Sequence, residues 1–422
     1  MKTDETTPAS ATVDKMPGVS RRRFLKNFAA TAAAYSLSSR AFPAQQKRPS
    51  IIVIGAGAFG GWTALYLLRK GARVLLVDAW GPGNSRASSG GETRVIRATY
   101  GGSRLYTKMA ADALHLWREN EKRWHRNLFT RTGVIWMPGR DDAYERTSLA
   151  TLKEVGVPFD RLTNQEATRR WPQIDFQGVP WLIHEPEAGF LLARSSCQAV
   201  FESFLREGGE YRQAKVAPGP ISGKQLENIF ANNDRIVAQQ YVFACGPWLP
   251  NVFPFLAKVI KASRQEIFFF GTPAGDRRFT EEEIPVWIDH GNPTFYGIPG
   301  NQWRGFKIAD DTRGPDFDPT SADRQVSEQG LASVREYLAM RFPGLKSAPL
   351  VESRVCQYEN SADQDFILDQ HPVAKNVWIL GGGSGHGFKH GPKIGDMASD
   401  AVLGNQTPPL EFRLARFKAE LD

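Results

Sequence analysis

The 422-residue sequence predicts an α/β fold, a doubly wound domain assembled from discontinuous segments and joined to a second, α+β domain that carries an antiparallel sheet. Three observations predict it. Ser50–Asp78 (SIIVIGAGAFGGWTALYLLRKGARVLLVD) reads as strand, glycine turn, helix and strand. Val377–Leu380 (VWIL) runs into Gly381-Gly382-Gly383-Ser384-Gly385 and then a helix over 392–403, a second unit of the same kind from the far end of the chain. From Ser263 the texture changes to alternating apolar and polar runs, the period of half-buried strands.

The first unit carries Gly55-x-Gly57-x-x-Gly60 between its strand and its helix, the dinucleotide fingerprint. Its glycines serve a tight turn, close backbone approach to a pyrophosphate and close helix–strand packing. The helix start, with Ala58 and Phe59 in its first turn, offers free N–H groups and the positive end of the helix dipole to phosphates. The helical pattern stops at Gly71, a residue that tolerates positive φ. Asp78 ends the second strand about 20 residues on, where a carboxylate accepts ribose hydroxyls. A bound dinucleotide is predicted, and the fingerprint alone does not separate NAD from FAD.

Further along, 105–123 reads as an amphipathic helix with Met109, Ala113, Leu116 and Trp117 on one face. A strand is predicted over 131–138, short helices over 149–155 and 164–171, another helix over 195–207, and a strand pair over 235–247. The second texture gives strands over 265–271, 285–288, 294–299, 303–308 and 350–358, with a helix over 323–342. Residues 406–422 read as a polar tail.

The N-terminus is a different object. Ser20-Arg21-Arg22-Arg23-Phe24-Leu25-Lys26 fits the twin-arginine export pattern, followed by an alanine-rich stretch to Leu37 and small-residue cleavage points at Ala41 and Ala44. Residues 1–44 are therefore read as a signal peptide, too short and weakly apolar for a stable membrane span. Cleavage, or retention as an anchor, are both open. The twin-arginine machinery carries folded proteins, so the signal predicts an exported, periplasmic enzyme that takes up its cofactor before it leaves. A diffusible nicotinamide would be scarce there, which favours a tightly held FAD.

Charge and cysteine usage narrow the field. The formal charge is +8, but the first 44 residues hold seven Lys or Arg against three Asp or Glu, leaving about +4 on the rest. No basic arm, nucleic-acid motif or metal-ligand spacing is present, and the mild positive balance suits anionic small molecules. Three cysteines, Cys197, Cys245 and Cys356, are too few and too odd in number for a disulfide framework.

Three blocks carry a family resemblance: Ser88–Gly101 (SSGGETRVIRATYG), Arg354–Pro372 (RVCQYENSADQDFILDQHP) and Gly382–Lys389 (GGSGHGFK), supported by Tyr296–Pro299 and Gly305–Lys307. On them the chain resembles the FAD-dependent amine oxidases of the D-amino-acid-oxidase superfamily, in the branch of monomeric sarcosine oxidase, N-methyltryptophan oxidase and L-pipecolate oxidase. The resemblance implies a Rossmann-like FAD-binding domain over 48–128, 186–256 and 363–405, and a substrate domain over 129–185 and 257–362. It implies FAD held covalently through Cys356, with Gly383, Gly385, His386, Gly387 and Lys389 around the cofactor. Arg94 matches the arginine beside the isoalloxazine, where a fixed cation stabilises negative charge on the reduced ring. Lys307 matches the lysine that activates dioxygen, and Arg97 and Lys389 match the residues that grip a substrate carboxylate. Arg97 follows Arg94 by three residues, so a helical segment would put both on one face. Tyr296 and Tyr358 match aromatic pocket residues, while His386 reads either as a backbone cap near the flavin or as a pocket residue.

The same resemblance has departures. Sarcosine-type enzymes carry two histidines where this chain has Ser89 and Gly90, and a substrate-side histidine where Asp311, or Asp310, falls. A glycine at 90 is expected to open space, and an aspartate to suit a cationic or larger polar substrate. The implied activity is oxidation of a secondary or N-methylated amino acid to an imine, with O2 reduced to hydrogen peroxide. Two alternatives stand beside it: a dehydrogenase feeding a quinone or carrier protein, and a flavoprotein acting on a peptide or partner.

Overall fold

The computed structural model describes residues 49–300 and 304–421. The twin-arginine motif lies outside the described residues. Through the first half the chain runs β1 (Ile51–Ile54), α1 (Ala58–Arg69), β2 (Val74–Asp78), β3 (Thr93–Ile96), α2 (Arg104–Trp124), β4 (Val134–Pro138), β5 (Asp160–Thr163), β6 (Trp181–Glu185) and β7 (Gly189–Leu192). Next come α3 (Ala193–Arg206), β8 (Glu210–Gln213), β9 (Gln240–Phe243), β10 (Ile260–Phe270), β11 (Val286–His290), β12 (Phe295–Ile298) and β13 (Phe306–Asp310). It ends with α4 (Glu328–Arg341), β14 (Leu350–Ser361), β15 (Ile367–Gln370), β16 (Val377–Gly381) and α5 (Gly391–Leu403).

Two large sheets organise these elements. One has six strands in the order β15-β16-β9-β1-β2-β8, parallel throughout except at the β15/β16 edge. Its inner strands are continuous apolar runs because both faces are covered, one by helices and the other by short strands and helical turns around residues 226–231 and 249–259; all four residues of β1 are buried. The strand that carries the fingerprint thus pairs with β9, almost 200 residues on, and β9 pairs in turn with β16, over 300 residues from β1. On one face α1 lies directly on α5, and a Cβ at Gly395 would come within 2.6 Å of the Trp62 Cβ. Trp62 in turn packs edge-on to Trp117 and stacks on Trp124, both from α2.

The second sheet has eight strands in the order β14-β10-β13-β12-β11-β4-β6-β5. It is antiparallel as expected at every pairing but one: β11 and β4 run parallel, joining two halves from distant parts of the chain. A long ribbon of β10 and β14, Ile260 paired with Ser361 through to Phe270 with Leu350, forms one edge. That register fixes Cys356 opposite Gln265 and Tyr358 opposite Ser263.

The segment after α5 differs from a polar tail. Phe412, Leu414 and Phe417 are buried, Phe412 against the cluster around Trp62 and the other two against the opposite face of the parallel sheet. Three large apolar side chains within six residues are enough to dock a short, otherwise polar segment. Among the described residues no helix is long and apolar enough to cross a membrane.

Candidate active site

The parallel sheet opens a cavity of about 1060 Å³ at the carboxyl end of β1, the place where open α/β sheets bind ligands. Gly55 has φ +108°, and a Cβ there would fall 2.2 Å from the Ala244 carbonyl oxygen; one at Gly60 would fall 1.9 Å from the Gly55 oxygen. Gly57 meets nothing closer than the Ser89 hydroxyl at 3.4 Å, and its backbone faces the cavity. α1 starts there without a side-chain cap from Gly57; the Ser89 hydroxyl accepts instead from the Ala58 N–H at 3.0 Å. Asp78 lines the same cavity and accepts from the N–H groups of Ala56, Trp80 and Gly81. Burial raises its carboxyl above the usual range despite those three donors.

Gly383, Gly385 and Gly387 of the second glycine turn line this cavity too, with Ala58, Phe59 and Arg94. The Ser88 hydroxyl, on its wall, is buried with no partner of its own. A cleft, a helix start whose own N-cap glycine supplies no side chain, a carboxylate at the second strand's end and an orphaned hydroxyl fit a dinucleotide of the FAD kind.

A second cavity of about 550 Å³ abuts the first, and the two share Arg94, Tyr358, Gly385 and Phe388 as walls. Arg97, Tyr100, Trp136, Tyr296, Asp311, Cys356, His386 and Lys389 line it. Arg94 lies on β3, a strand rather than the helix that would have put it on one face with Arg97. A strand alternates its faces; what brings Arg97 to the cavity is the turn that follows. Glu185 of β6, buried, accepts from Ala98 N, Thr99 N and the Thr99 hydroxyl, and so pins that turn. Arg97 then lies over the rings of Tyr100 (4.1 Å) and Trp136 (4.8 Å). Arg94 donates to the Ser88 and Thr93 carbonyls and points an Nη at the Cys356 sulfur.

Lys389 is 4 % exposed. Its Nζ donates to the Tyr100 hydroxyl and to the His386 carbonyl, each at 2.8 Å. Burial, and then Arg97, hold its ammonium well below the usual lysine range. The Tyr100 hydroxyl also contacts His386 Nδ1 at 3.1 Å and His390 Nε2 at 2.8 Å. His386 Nε2 reaches the Gln364 carbonyl, so this residue both ties backbone and lines the pocket. Burial keeps both imidazoles well below their ordinary range.

Lys307, on β13, is 1 % exposed and lines neither cavity. Its Nζ donates to the Thr93 carbonyl at 3.2 Å and hydroxyl at 3.4 Å, and stands 5.3 Å from the Tyr296 ring centre. Burial, then Arg94, pull its pKa down to about 7.

Gly90 does not open space. A Cβ there would lie 1.7 Å from the Asn84 carbonyl oxygen, so the 84–90 turn itself fills the room a side chain would take. Of the three cysteines, all unpaired, only Cys356 lines the second cavity; Cys197 lies apart from both and Cys245 faces the first. Sequence reasoning missed Tyr100, His390, Glu185 and Glu359. Tyr100 sits inside a block already singled out, whereas nothing in the sequence marks Glu185.

Residues 50–401 match the family model described as FAD dependent oxidoreductase. Monomeric sarcosine oxidase of Bacillus sp. (strain B-0618) is 30 % identical over 373 residues, spanning 85 % of this chain and 93 % of that one. N-methyl-L-tryptophan oxidase of Salmonella heidelberg (strain SL476) is 28 % identical over 382 residues, 87 % of this chain and 98 % of that one. Among solved structures, L-proline dehydrogenase from P. horikoshii superposes with a TM-score of 0.77 at 19 % identity, covering 88 % of this chain and 98 % of that chain. The fingerprint cavity and the family match agree, and the chain belongs to the FAD-dependent oxidoreductases of the D-amino-acid-oxidase type.

Proposed function

We propose that this enzyme oxidises a secondary or N-methylated amino acid to an imine and reduces O2 to hydrogen peroxide. The observation that carries this reading is the pair Arg97 and Lys389, a half-buried and a buried basic side chain in a cavity that abuts the cofactor cleft at Arg94 and Tyr358. Charging a buried lysine beside an arginine is costly unless an anion completes the group, and a substrate carboxylate does so with charge-assisted hydrogen bonds. Lys389 has two of its three donors committed to Tyr100 and His386, which leaves one for that carboxylate.

Gly55, Gly57, Gly60 and Asp78 would hold the adenosine end of the FAD, and the Gly383–Gly387 turn its other end. A flavin, when bound, supplies a two-electron acceptor that passes its electrons on to O2. Cys356 is the residue proposed to tether it, and Arg94 the cation beside its ring. Tyr296 and Tyr358 wall the pocket and exclude water from the reacting carbon. The relatives named as sarcosine and N-methyltryptophan oxidases support an amine carrying one alkyl substituent. Export through the twin-arginine route, with FAD already in place, completes the proposal; replacing Arg21 and Arg22 by lysine is expected to leave the protein in the cytoplasm.

The test is a panel of N-methyl and cyclic amino acids, scored for flavin reduction without oxygen and then for peroxide on admitting it. Reduction with fast reoxidation supports the oxidase. Reduction that persists in air points to the dehydrogenase, and no reduction by any amino acid overturns the reading.

A further inference from the structure

Asp311 follows β13 and lines the second cavity together with Arg97 and Lys389. Its N–H is fixed on the Thr294 carbonyl at 2.7 Å, and one carboxylate oxygen accepts from the Tyr358 hydroxyl at 2.6 Å. Among the described residues no cation comes within ion-pair distance of it, and its open surface belongs to the cavity wall. Arg97 and Lys389 lie close enough to feel its charge without touching it. A carboxylate on the cavity wall with one side-chain hydrogen bond and no ion-pair partner keeps acceptor capacity for a bound cation. The cavity therefore carries basic side chains and a carboxylate that is not paired with them, with a gap of more than ion-pair distance between.

That gap has the polarity of an α-amino acid. Resting on the reading above, we propose that Asp311 receives the substrate's ammonium while Arg97 and Lys389 hold its carboxylate, and that Asp311 then takes the ammonium proton. In that step an N–H bond breaks and an O–H bond forms on the Asp311 carboxylate. A cation and an anion become a neutral amine and a neutral acid, a change that a low-dielectric site favours. The freed lone pair on nitrogen is what permits loss of hydride from the neighbouring carbon. Burial raises the Asp311 carboxyl above its ordinary range, which makes it a better proton acceptor. The groups that face it are Tyr358, Tyr296, Arg97, Arg313, Asp310 and Lys389. The cations among them lower the proton affinity of the bound amine in the same way.

Two probes separate this from the reading it rests on. Propanoate offers a carboxylate alone; trimethylglycine adds a fixed positive charge but no N–H. Dissociation constants for both are read from perturbation of the flavin absorption band in wild-type and Asp311→Asn holoenzyme. The substitution is expected to weaken trimethylglycine by about 10-fold or more, through the lost charge–charge attraction alone, and to leave propanoate within about twofold. Asp311→Glu should restore part of the loss, and Asp311→Ser replaces Asp311→Asn should the latter fail to retain flavin. With a true substrate, the acid limb of the flavin-reduction rate should move to higher pH in Asp311→Asn, since the amine must then lose its proton to water. Equal weakening of both probes, or of neither, overturns the assignment. Failure of wild type to bind propanoate overturns the carboxylate grip instead.

Discussion

An Nη of Arg94 lies 3.8 Å from the sulfur of Cys356. The two residues come from opposite ends of the chain, one from β3 and one from β14, and they meet where the two cavities join. The proposed tethering of the flavin at Cys356 is tested at this pairing. Wild-type protein denatured in acid should keep yellow colour and a mass increased by FAD, while Cys356→Ser should release free flavin. Arg94→Met should slow incorporation while leaving the fold intact. Flavin released from denatured wild type would sink the assignment.

Lys389 gives a prediction with a sign. Because burial and Arg97 hold its ammonium well below the usual range, binding a carboxylate draws a proton onto it. Affinity for propanoate should therefore fall as pH rises, and proton uptake should accompany binding in lightly buffered solution. Lys389→Met should weaken propanoate by roughly 10- to 150-fold, the equivalent of about 1.5–3 kcal/mol for a hydrogen bond to a charged group, and should abolish the uptake. Titration calorimetry in two buffers of different ionisation enthalpy measures both.

Lys307 behaves differently because it faces neither cavity. With a pKa near 7, it is a cation below that pH and neutral above it. If it supplies the positive charge that O2 reduction needs, reoxidation should slow as pH rises through about 7. Lys307→Met should be slower by about 10²–10³-fold, the usual loss on removing one electrostatic stabiliser, and should show no such pH dependence. Flavin reduction by substrate should change little, since Lys307 lines neither cavity. Stopped-flow oxidation of reduced enzyme across pH 6–9 checks it.

The cofactor end was legible because it is local. Gly55, Gly57, Gly60 and Asp78 span one βαβ unit, where backbone requirements alone dictate residue type and spacing. The pocket was legible only in its parts. Arg97, Tyr296, Asp311, Tyr358 and Lys389 are brought together by sheet pairings across the whole chain, and no local pattern encodes those. Where local reasoning was applied there, it failed in physical ways. β3 is a strand because it pairs with β7, so the i, i+3 rule for Arg94 and Arg97 had no helix to act on. Gly90 was read as an opening, but its room is taken by the Asn84 carbonyl, a backbone atom that sequence comparison does not see. Residues 406–422 looked polar by composition, yet three apolar residues anchor them.

Glu359, which lies in the Arg354–Pro372 block with no role assigned to it there, carries the last prediction. It follows Tyr358 on β14, lines the first cavity, and accepts from the Gly382 N–H at 3.0 Å, tying the long ribbon to the second glycine turn. Burial pushes its carboxyl up to about 7, against backbone hydrogen bonds from Gly382 and Gly383 that act the other way. The native state thus keeps its proton up to near pH 7, while the unfolded chain releases it near the ordinary glutamate value of 4.5. Between those values the folded form binds more protons, so this group's contribution to stability is complete below pH 4.5 and is lost as pH rises through about 7. The gap corresponds to about 3 kcal/mol at full burial. Glu359→Gln keeps an acceptor for Gly382 but cannot ionise. The difference in unfolding free energy between wild type and Glu359→Gln should therefore tilt by about that amount against wild type across this window. Denaturant titrations at several pH values measure the tilt. A pH-independent difference would mean that the Glu359 carboxylate is as well solvated in the folded cleft as in the unfolded chain.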